Sequence, residues 1–393
     1  MNRNLTNIEN KEILFLQGPM GNYFRKLQLK LSKNNNVFRI GFNKGDEFFS
    51  LKNNFYPFKD CPNQWRAYIS SFLKRKKIQI IFLFGDCRFY HKIAIEETKK
   101  LNVDTYVFEE GYIRPNYITL EKNGVNFYSE IIKERSDILN QIKANNNLLQ
   151  ADKNFPKNKI FLKMAFQSFL YYLISNIYSF QYLNYIHHRE FNVLKELQYA
   201  VINVYRLIKN KILEFNFEKN CKYKFQNKYY LIPLQTHNDF QIKVHSKYKS
   251  IEDFIEEVLV SFSDFATADK YIFFKHHPID RGRKNYYKTI KNIAKQLNIE
   301  SRVKIIYDVN LPILLKNAIG TIVINSSVGF SSLYHRTPVL CLGKSIYDIE
   351  GLTAKNIHLN QFWNSNLKVN YDNYKKFRNF LIQKTQIKDS FYA

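Results

Sequence analysis

Glu109 and Glu110 are adjacent carboxylates followed by Gly111, and they close an apolar run, Thr105 to Phe108. Two acids at the end of a strand are hard to explain by packing. On an extended backbone their side chains point to opposite sides. One can therefore face a cleft as general acid or base while the other holds the loop or pairs with Arg114. A solvated loop with a surface ion pair has the same spacing. Asp86 and Arg88 follow the strongly apolar run Ile78 to Phe84 in the same way. They could bind a substrate, or pair with each other for little energy.

The second half offers hydrogen-bond donors at equivalent places. Gln235-Thr236-His237-Asn238-Asp239 follows the run Lys228 to Leu234, and Lys275-His276-His277-Pro278-Ile279-Asp280-Arg281 closes the run Lys270 to Lys275. Asn325-Ser326-Ser327 lies between the β-branched run Thr321 to Ile324 and a helix-like segment, Phe330 to His335. Free amides at a helix start, together with serine hydroxyls, make a phosphate site. An ordinary N-cap uses the same residues. Adjacent histidines on an extended segment point apart and rarely share one ion, so no metal is expected. His277 reads better as a donor to a phosphate or ring oxygen. No Walker-type loop is present, which weighs against an NTPase, and Gly18 and Gly21 do not fit a dinucleotide fingerprint.

These turns need elements to hold them. Strands are expected at Glu12 to Gln17, Val37 to Phe42, Ile78 to Phe84 and Thr105 to Phe108, with helices at Tyr23 to Ser32 and Tyr90 to Leu101. The second half repeats the alternation, with strands ending near Leu234, Lys275, Tyr307, Ile324 and Leu342. Such βα units predict an α/β chain with parallel sheets covered by helices on both faces, and its polar turns gathered at one sheet edge. At 393 residues there is room for two domains with full cores. Residues 132–158 are polar and read as a linker. Met164 to Ile186 carries no charged residue and is long enough to span a bilayer, yet its Gln, Asn and Tyr content makes it a poor span. With Lys157, Lys159 and Lys163 before it and His187, His188 and Arg189 after, it reads as helix packed between domains or lying on an anionic membrane surface. Residues 190–215 continue as an amphipathic helix. The net charge of +26 predicts attraction to polyanions. An AT-rich genome, which favours lysine codons, would raise the charge without function. Four scattered cysteines predict a reducing compartment, and no apolar signal segment follows the polar start of the sequence.

Five blocks in order carry a resemblance: 85–95 (GDCRFYHKIAI), 107–126 (VFEEGYIRPNYITLEKNGVN), 233–246 (PLQTHNDFQIKVHS), 275–282 (KHHPIDRG) and 325–353 (NSSVGFSSLYHRTPVLCLGKSIYDIEGLT). Together they resemble the KpsS-type capsular polysaccharide proteins, β-Kdo glycosyltransferases of capsule export systems. The acidic-acidic-Gly and His-Pro motifs are also similar to those of a class of bacterial sialyltransferases. The likeness runs from about Gly18 to Thr353 and is weak in the central segment and the last forty residues.

The resemblance implies a GT-B-like fold, two Rossmann-like domains facing a cleft. Residues 1–155 would form the acceptor-side domain, 156–222 a helical connector, 223–350 the CMP-sugar domain and 351–393 a helical tail packing back on the N-terminal domain. It implies Kdo transfer from CMP-Kdo to a phosphatidylglycerol-type lipid, starting a poly-Kdo linker, with no cofactor or metal. Glu109 or Glu110 would be the acid/base. Lys275, His277, Pro278, Asn325, Ser326 and Ser327 would hold the CMP moiety, and Asp86, Arg88, Arg114, Gln235, His237 and Arg281 the substrates. Donor and product are both β-linked, so the outcome is retention. Double displacement then needs a nucleophile, for which Asp239 at a strand end is the candidate. The location implied is the cytoplasmic face of the inner membrane, peripherally bound, beside other capsule biosynthesis and export proteins and away from nucleic acid. The alternatives are another CMP-sugar transferase, sialyltransferase-like or later-acting on Kdo, and a non-catalytic basic binding protein.

Overall fold

The computed structural model describes residues 8–132, 139, 157–186 and 193–392. Most of the stretch expected as a linker lies outside these residues, as do the side chains of Lys157, Lys159, His187, His188 and Arg189. The chain forms two compact α/β units. The first takes the described residues as far as Ile132, those from Lys157 to Ile186, and the end of the chain from Asn379. The second takes residues 194–378 and Leu139. The described residues of the expected connector, 156–222, therefore divide between the two units. Of the expected tail, 351–378 belongs to the second unit and 379–392 to the first.

In the first unit β1 (Glu12–Phe15), β2 (Asn36–Gly41), β3 (Phe55–Pro57), β4 (Ile80–Phe84) and β5 (Asp104–Glu110) are parallel. β6 (Ile118–Lys122) runs antiparallel to β5, and the C-terminal strand Gln386–Ile387 runs antiparallel to β6. The sheet order is C-terminal strand, β6, β5, β4, β1, β2, β3. The expectation of a purely parallel sheet is thus corrected at one edge. The reason is length: residues 111–117 are too few for a crossover helix, so the chain must turn back. Alternate residues of β1 and β4 divide between two cores. Leu14, Ile81 and Leu83 pack with Trp65, Ile69 and Phe72 of a helix at Trp65–Arg75. Ile13, Phe15 and Phe82 pack with Phe24 of α1 (Tyr23–Leu31) and with Phe391.

The second unit has five parallel strands. β7 (Tyr229–Pro233) is central, with β8 (Tyr271–Lys275) and β9 (Val303–Ile306) on one side, and β10 (Gly320–Val323) and β11 (Val339–Cys341) on the other. Its two faces are also buried separately. Ile232, Ile272 and Phe274 pack with the helix Ile251–Phe265, while Leu231 and Phe273 pack with Leu314 and Leu315. In each sheet the chain passes from one side of the first strand to the other. That opens a crevice beyond the strand ends, between β1 and β4 in one unit and between β7 and β10 in the other.

Candidate active site

Each crevice is bridged by a glutamine two residues past the first strand of its unit. In the first unit Gln17 follows β1, and its Oε1 accepts a 2.8 Å hydrogen bond from Arg88 Nη1, beyond β4. Gln17 Nε2 lies 3.1 Å from Asp46 Oδ2, 3.0 Å from the Tyr171 hydroxyl and 2.9 Å from that of Tyr185. Asp46 is buried and also accepts from the Phe42 amide and the Tyr171 hydroxyl. Burial raises its pKa and nearby Arg39 opposes the rise.

Glu109 borders this network. Gly85, at φ +74°, turns the chain after β4, and a Cβ placed there would lie 3.7 Å from both Arg88 Nε and Glu109 Oε2. Those two side chains therefore flank one point. Burial pushes the Glu109 carboxyl up to about 7, helped by the charges of Glu110 and Asp86 and opposed by the Glu110 amide and Arg88. That amide donates to Glu109 Oε1 at 3.0 Å. Both glutamates belong to β5 itself, opposite Thr119 and Ile118 of β6, rather than to a loop beyond it. Strand alternation sends Glu110 to the exposed side, toward Tyr392.

Other expected site residues of this unit have holding roles. Asp86 is buried and accepts from the Val125 amide at 2.8 Å and from Cys87 Sγ at 3.2 Å. It is not the ion-pair partner of Arg88, which lies against the Phe84 ring. Arg114 donates Nε to the Gly111 carbonyl at 3.2 Å and holds the turn after β5. Glu121, which the sequence reading passed over, is a second buried carboxyl pushed up to about 7 by burial. It accepts from Tyr112 and Ser129 and so secures the 111–129 segment.

In the second unit Gln235 follows β7. Its Nε2 donates to Asp239 Oδ2 at 2.9 Å and Asn325 Oδ1 at 3.0 Å, and its Oε1 accepts from the Asn325 amide at 3.3 Å. Asp239 Oδ1 accepts from the Gln241 amide, so this carboxylate also caps the helix Phe240–His245. Ser326 caps the helix Ser327–Tyr334 through the Val328 amide, and Ser327 is that helix's first residue. Asp280, fully buried, accepts from both His237 N and His237 Nδ1 at 2.8 Å. The second of these bonds puts a proton on Nδ1. His277 has the opposite tautomer. Its Nδ1 accepts from the Ile279 amide at 3.2 Å, which leaves Nε2–H as a donor, and Pro278 opens the short turn that fixes this.

The two adjacent histidines do point apart. His276 is buried between the Tyr286 and Tyr307 rings and accepts from the Tyr286 amide, and burial lowers its pKa to about 4. Lys275 and Arg281, expected at the ligand, spend their charges inside the unit. Lys275 donates to the Tyr307 carbonyl at 2.8 Å, and burial lowers its pKa to about 8 against the pull of Glu214 and Asp308. Arg281 pairs with Asp308 and donates to Asn203 Oδ1 at 2.7 Å. Among the described residues no three His, Cys, Asp or Glu side chains converge as metal ligands.

Sequence reasoning missed Gln17, Asp46, Tyr171 and Tyr185, and also Asn43, whose Nδ2 donates to the Tyr171 hydroxyl at 2.7 Å. The Leu-Gln pair that ends both β1 and β7 extensions is the one signal that could have pointed to Gln17.

The fold is therefore that of a chain with two Rossmann-like α/β units, each with polar side chains gathered at its crevice. The chain belongs to the capsule polysaccharide biosynthesis protein family, whose model matches residues 79–392. It is 33% identical to the capsule polysaccharide export protein KpsS of Escherichia coli, over 98% of each chain. It is 34% identical to the capsule polysaccharide modification protein LipB of Neisseria meningitidis serogroup B, over 100% of this chain and 95% of that one. Among solved structures it is similar to the beta Kdo 2,7 transferase KpsC of Thermosulfurimonas dismutans, with 14% identity, a TM-score of 0.44, and coverage of 93% of this chain and 89% of that one.

Proposed function

We propose that this capsule biosynthesis protein is a retaining β-Kdo transferase. It moves Kdo from CMP-Kdo to a phosphatidylglycerol-type lipid, with no resident metal. The motif resemblance supports the donor and acceptor. The observation that carries the chemistry is Glu109, a half-buried carboxyl beside Arg88 at the crevice of the first sheet, pushed up to about 7 chiefly by desolvation. Groups poised near working pH are suited to proton transfer.

The roles divide as follows. Asp239 attacks the anomeric carbon of CMP-Kdo, and CMP leaves with the bonding electrons. CMP is a stable anion and needs no proton, so no acid is required at that step. Helix-start amides, His237 and the His277 Nε2–H would steady its charge. In the second step the acceptor hydroxyl attacks the same carbon, its proton passes to ionised Glu109, and the Asp239 carboxylate is released. Arg88, held by Gln17, keeps a positive charge beside the base.

A transfer assay tests this reading. CMP-Kdo is generated in place from Kdo, CTP and a synthetase, and offered with a fluorescent phosphatidylglycerol analogue. Addition of one Kdo by the wild-type chain and its loss in Glu109→Gln would support the reading. No transfer by folded wild-type protein to lipid or glycan acceptors would sink it.

A further inference from the structure

One fully buried carboxylate in the second unit is spent on a residue that solvent still reaches. Asp280 ends the short turn Pro278–Asp280 that follows β8. It crosses to the turn after β7, the neighbouring strand, and accepts there from His237 twice. Oδ2 takes the backbone amide and Oδ1 takes ring Nδ1, both at 2.8 Å. The two bonds fix the main chain and the ring of His237 together. The His237 side chain is nevertheless 35% exposed, against 1% for Asp280. Among the described residues its second ring nitrogen has no hydrogen-bond partner.

Holding a turn does not require this arrangement. The amide bond alone ties the two strand ends, and an asparagine side chain would accept it without burying a charge. A buried carboxylate is costly unless a positive group faces it. The neighbouring cations are committed elsewhere. Lys275 donates to the Tyr307 carbonyl and Arg206 to the Arg281 carbonyl, while Arg281, Arg283 and Lys284 pair with Asp308, Glu196 and Glu252. Burial lowers the pKa of His276 to about 4, so that ring brings no charge. His237 is the group bonded to this carboxylate that can turn positive, and it does so when both ring nitrogens carry protons. A doubly protonated ring has one N–H on Asp280 and a second to give away.

The same turn reaches the crevice from its other side. Gln235 Nε2 bonds to Asp239 Oδ2 and to Asn325 Oδ1 beyond β10. His237 therefore stands two residues from Asp239, in a turn tied to β8 on one side and to the β10 end on the other.

We propose that Asp280 is a positioning residue: it holds the His237 ring so that the second nitrogen, protonated, donates to an anionic oxygen of the sugar nucleotide, on its phosphate or on its sugar carboxylate. This role builds on the CMP-sugar reading above. His237 orients and neutralises the donor, and no bond to carbon passes through it.

The test is a cycle of four full-length proteins: wild type, Asp280→Asn, His237→Gln and the two together, each checked for folding by thermal melting. Each single variant should lose about 10²-fold in kcat/KM for CMP-Kdo. The double variant should lose no more than either one, because Asp280 acts through the ring. Losses that multiply in the double variant would make Asp280 a turn staple alone and overturn the proposal. Near-normal kcat/KM in His237→Gln would also overturn it, a result available even if Asp280→Asn does not fold. Calorimetry with CMP names the anion. CMP affinity lowered in both single variants assigns the phosphate, and CMP affinity unchanged beside a lowered kcat/KM assigns the sugar carboxylate. If wild type transfers nothing, the transferase reading falls by itself, and CMP affinity unchanged in both variants would then overturn this role as well.

Discussion

The two neighbouring glutamates differ because a strand sends adjacent side chains to opposite sides. Glu109 lies beside Arg88 and is half-buried, whereas Glu110 is exposed. If Glu109 is the base, it must be ionised to act. Transfer should then rise with pH through about 7 and level off above it. Glu109→Gln should lose about 10²–10⁴-fold in kcat, while Glu110→Gln stays within a few-fold of wild type. A flat profile between pH 6 and 8 would remove Glu109 from that role. Stability should move the other way. A carboxyl with a raised folded pKa binds its proton more tightly in the folded state, so folding weakens as pH rises from 4.5 to about 7. Glu109→Gln should therefore melt a few degrees above wild type at pH 8 and no higher than wild type at pH 4. Asp239 allows a similar separation of roles. Asparagine caps a helix as well as aspartate does but cannot attack carbon. Asp239→Asn should keep the cap and fold, losing only the bond from Gln235 Nε2, about 1 kcal/mol, while transfer falls about 10⁴-fold. Normal turnover in that variant would leave Asp239 a cap alone.

Among the elements, the C-terminal strand and the residues after it show how far the chain returns to finish its first sheet. Gln386 pairs opposite Thr119 on β6, and Phe391 packs edge-on against Tyr23 and Phe84 at 5.0 and 5.2 Å. Removing a buried ring leaves a cavity, so Phe391→Ala should cost about 3 kcal/mol in denaturant unfolding. A cost near zero would mean that the tail is not part of the core. Most strands and helices were legible in the sequence, because apolar runs of four to six residues alternate with amphipathic ones. β6 is not legible locally, because its residues, Ile118–Lys122, mix polar and apolar types. The seven-residue gap between β5 and β6 carried the correction, since a parallel return needs a longer connection. The helix Trp65–Arg75 is not among the elements expected, because its basic end, Lys74 and Arg75, runs almost directly into the next strand without a breaker. Lys275 and Arg281 were read as ligand contacts because their neighbours in sequence suggest a cleft. Only packing shows that Tyr307, Asp308 and Asn203 take their charges.

For the molecule as a whole, the charge of +26 draws the protein toward anionic surfaces over a Debye length of about 10 Å at 0.1 M salt. Raising salt from 0.1 to 0.5 M should therefore weaken sedimentation with phosphatidylglycerol vesicles severalfold. No response to salt would leave the charge without a part in holding the protein to such a surface.

The sequence by itself determined what local pattern can encode. That covers α/β units in succession, polar turns at strand ends, a tyrosine-rich central helix, and the ordered motif blocks that mark the capsule family. Periodicity and turn chemistry are properties of neighbouring residues, so they survive without a structure. Tertiary structure alone decided which of two adjacent glutamates turns toward Arg88 and which residues 70 to 170 positions apart join Gln17, Arg88, Tyr171 and Tyr185 into one network. It also decided which charges are spent on holding turns and which face outward. Burial and long-range hydrogen bonding depend on strand order and on which side of a sheet each residue meets, and no single stretch of sequence contains that information.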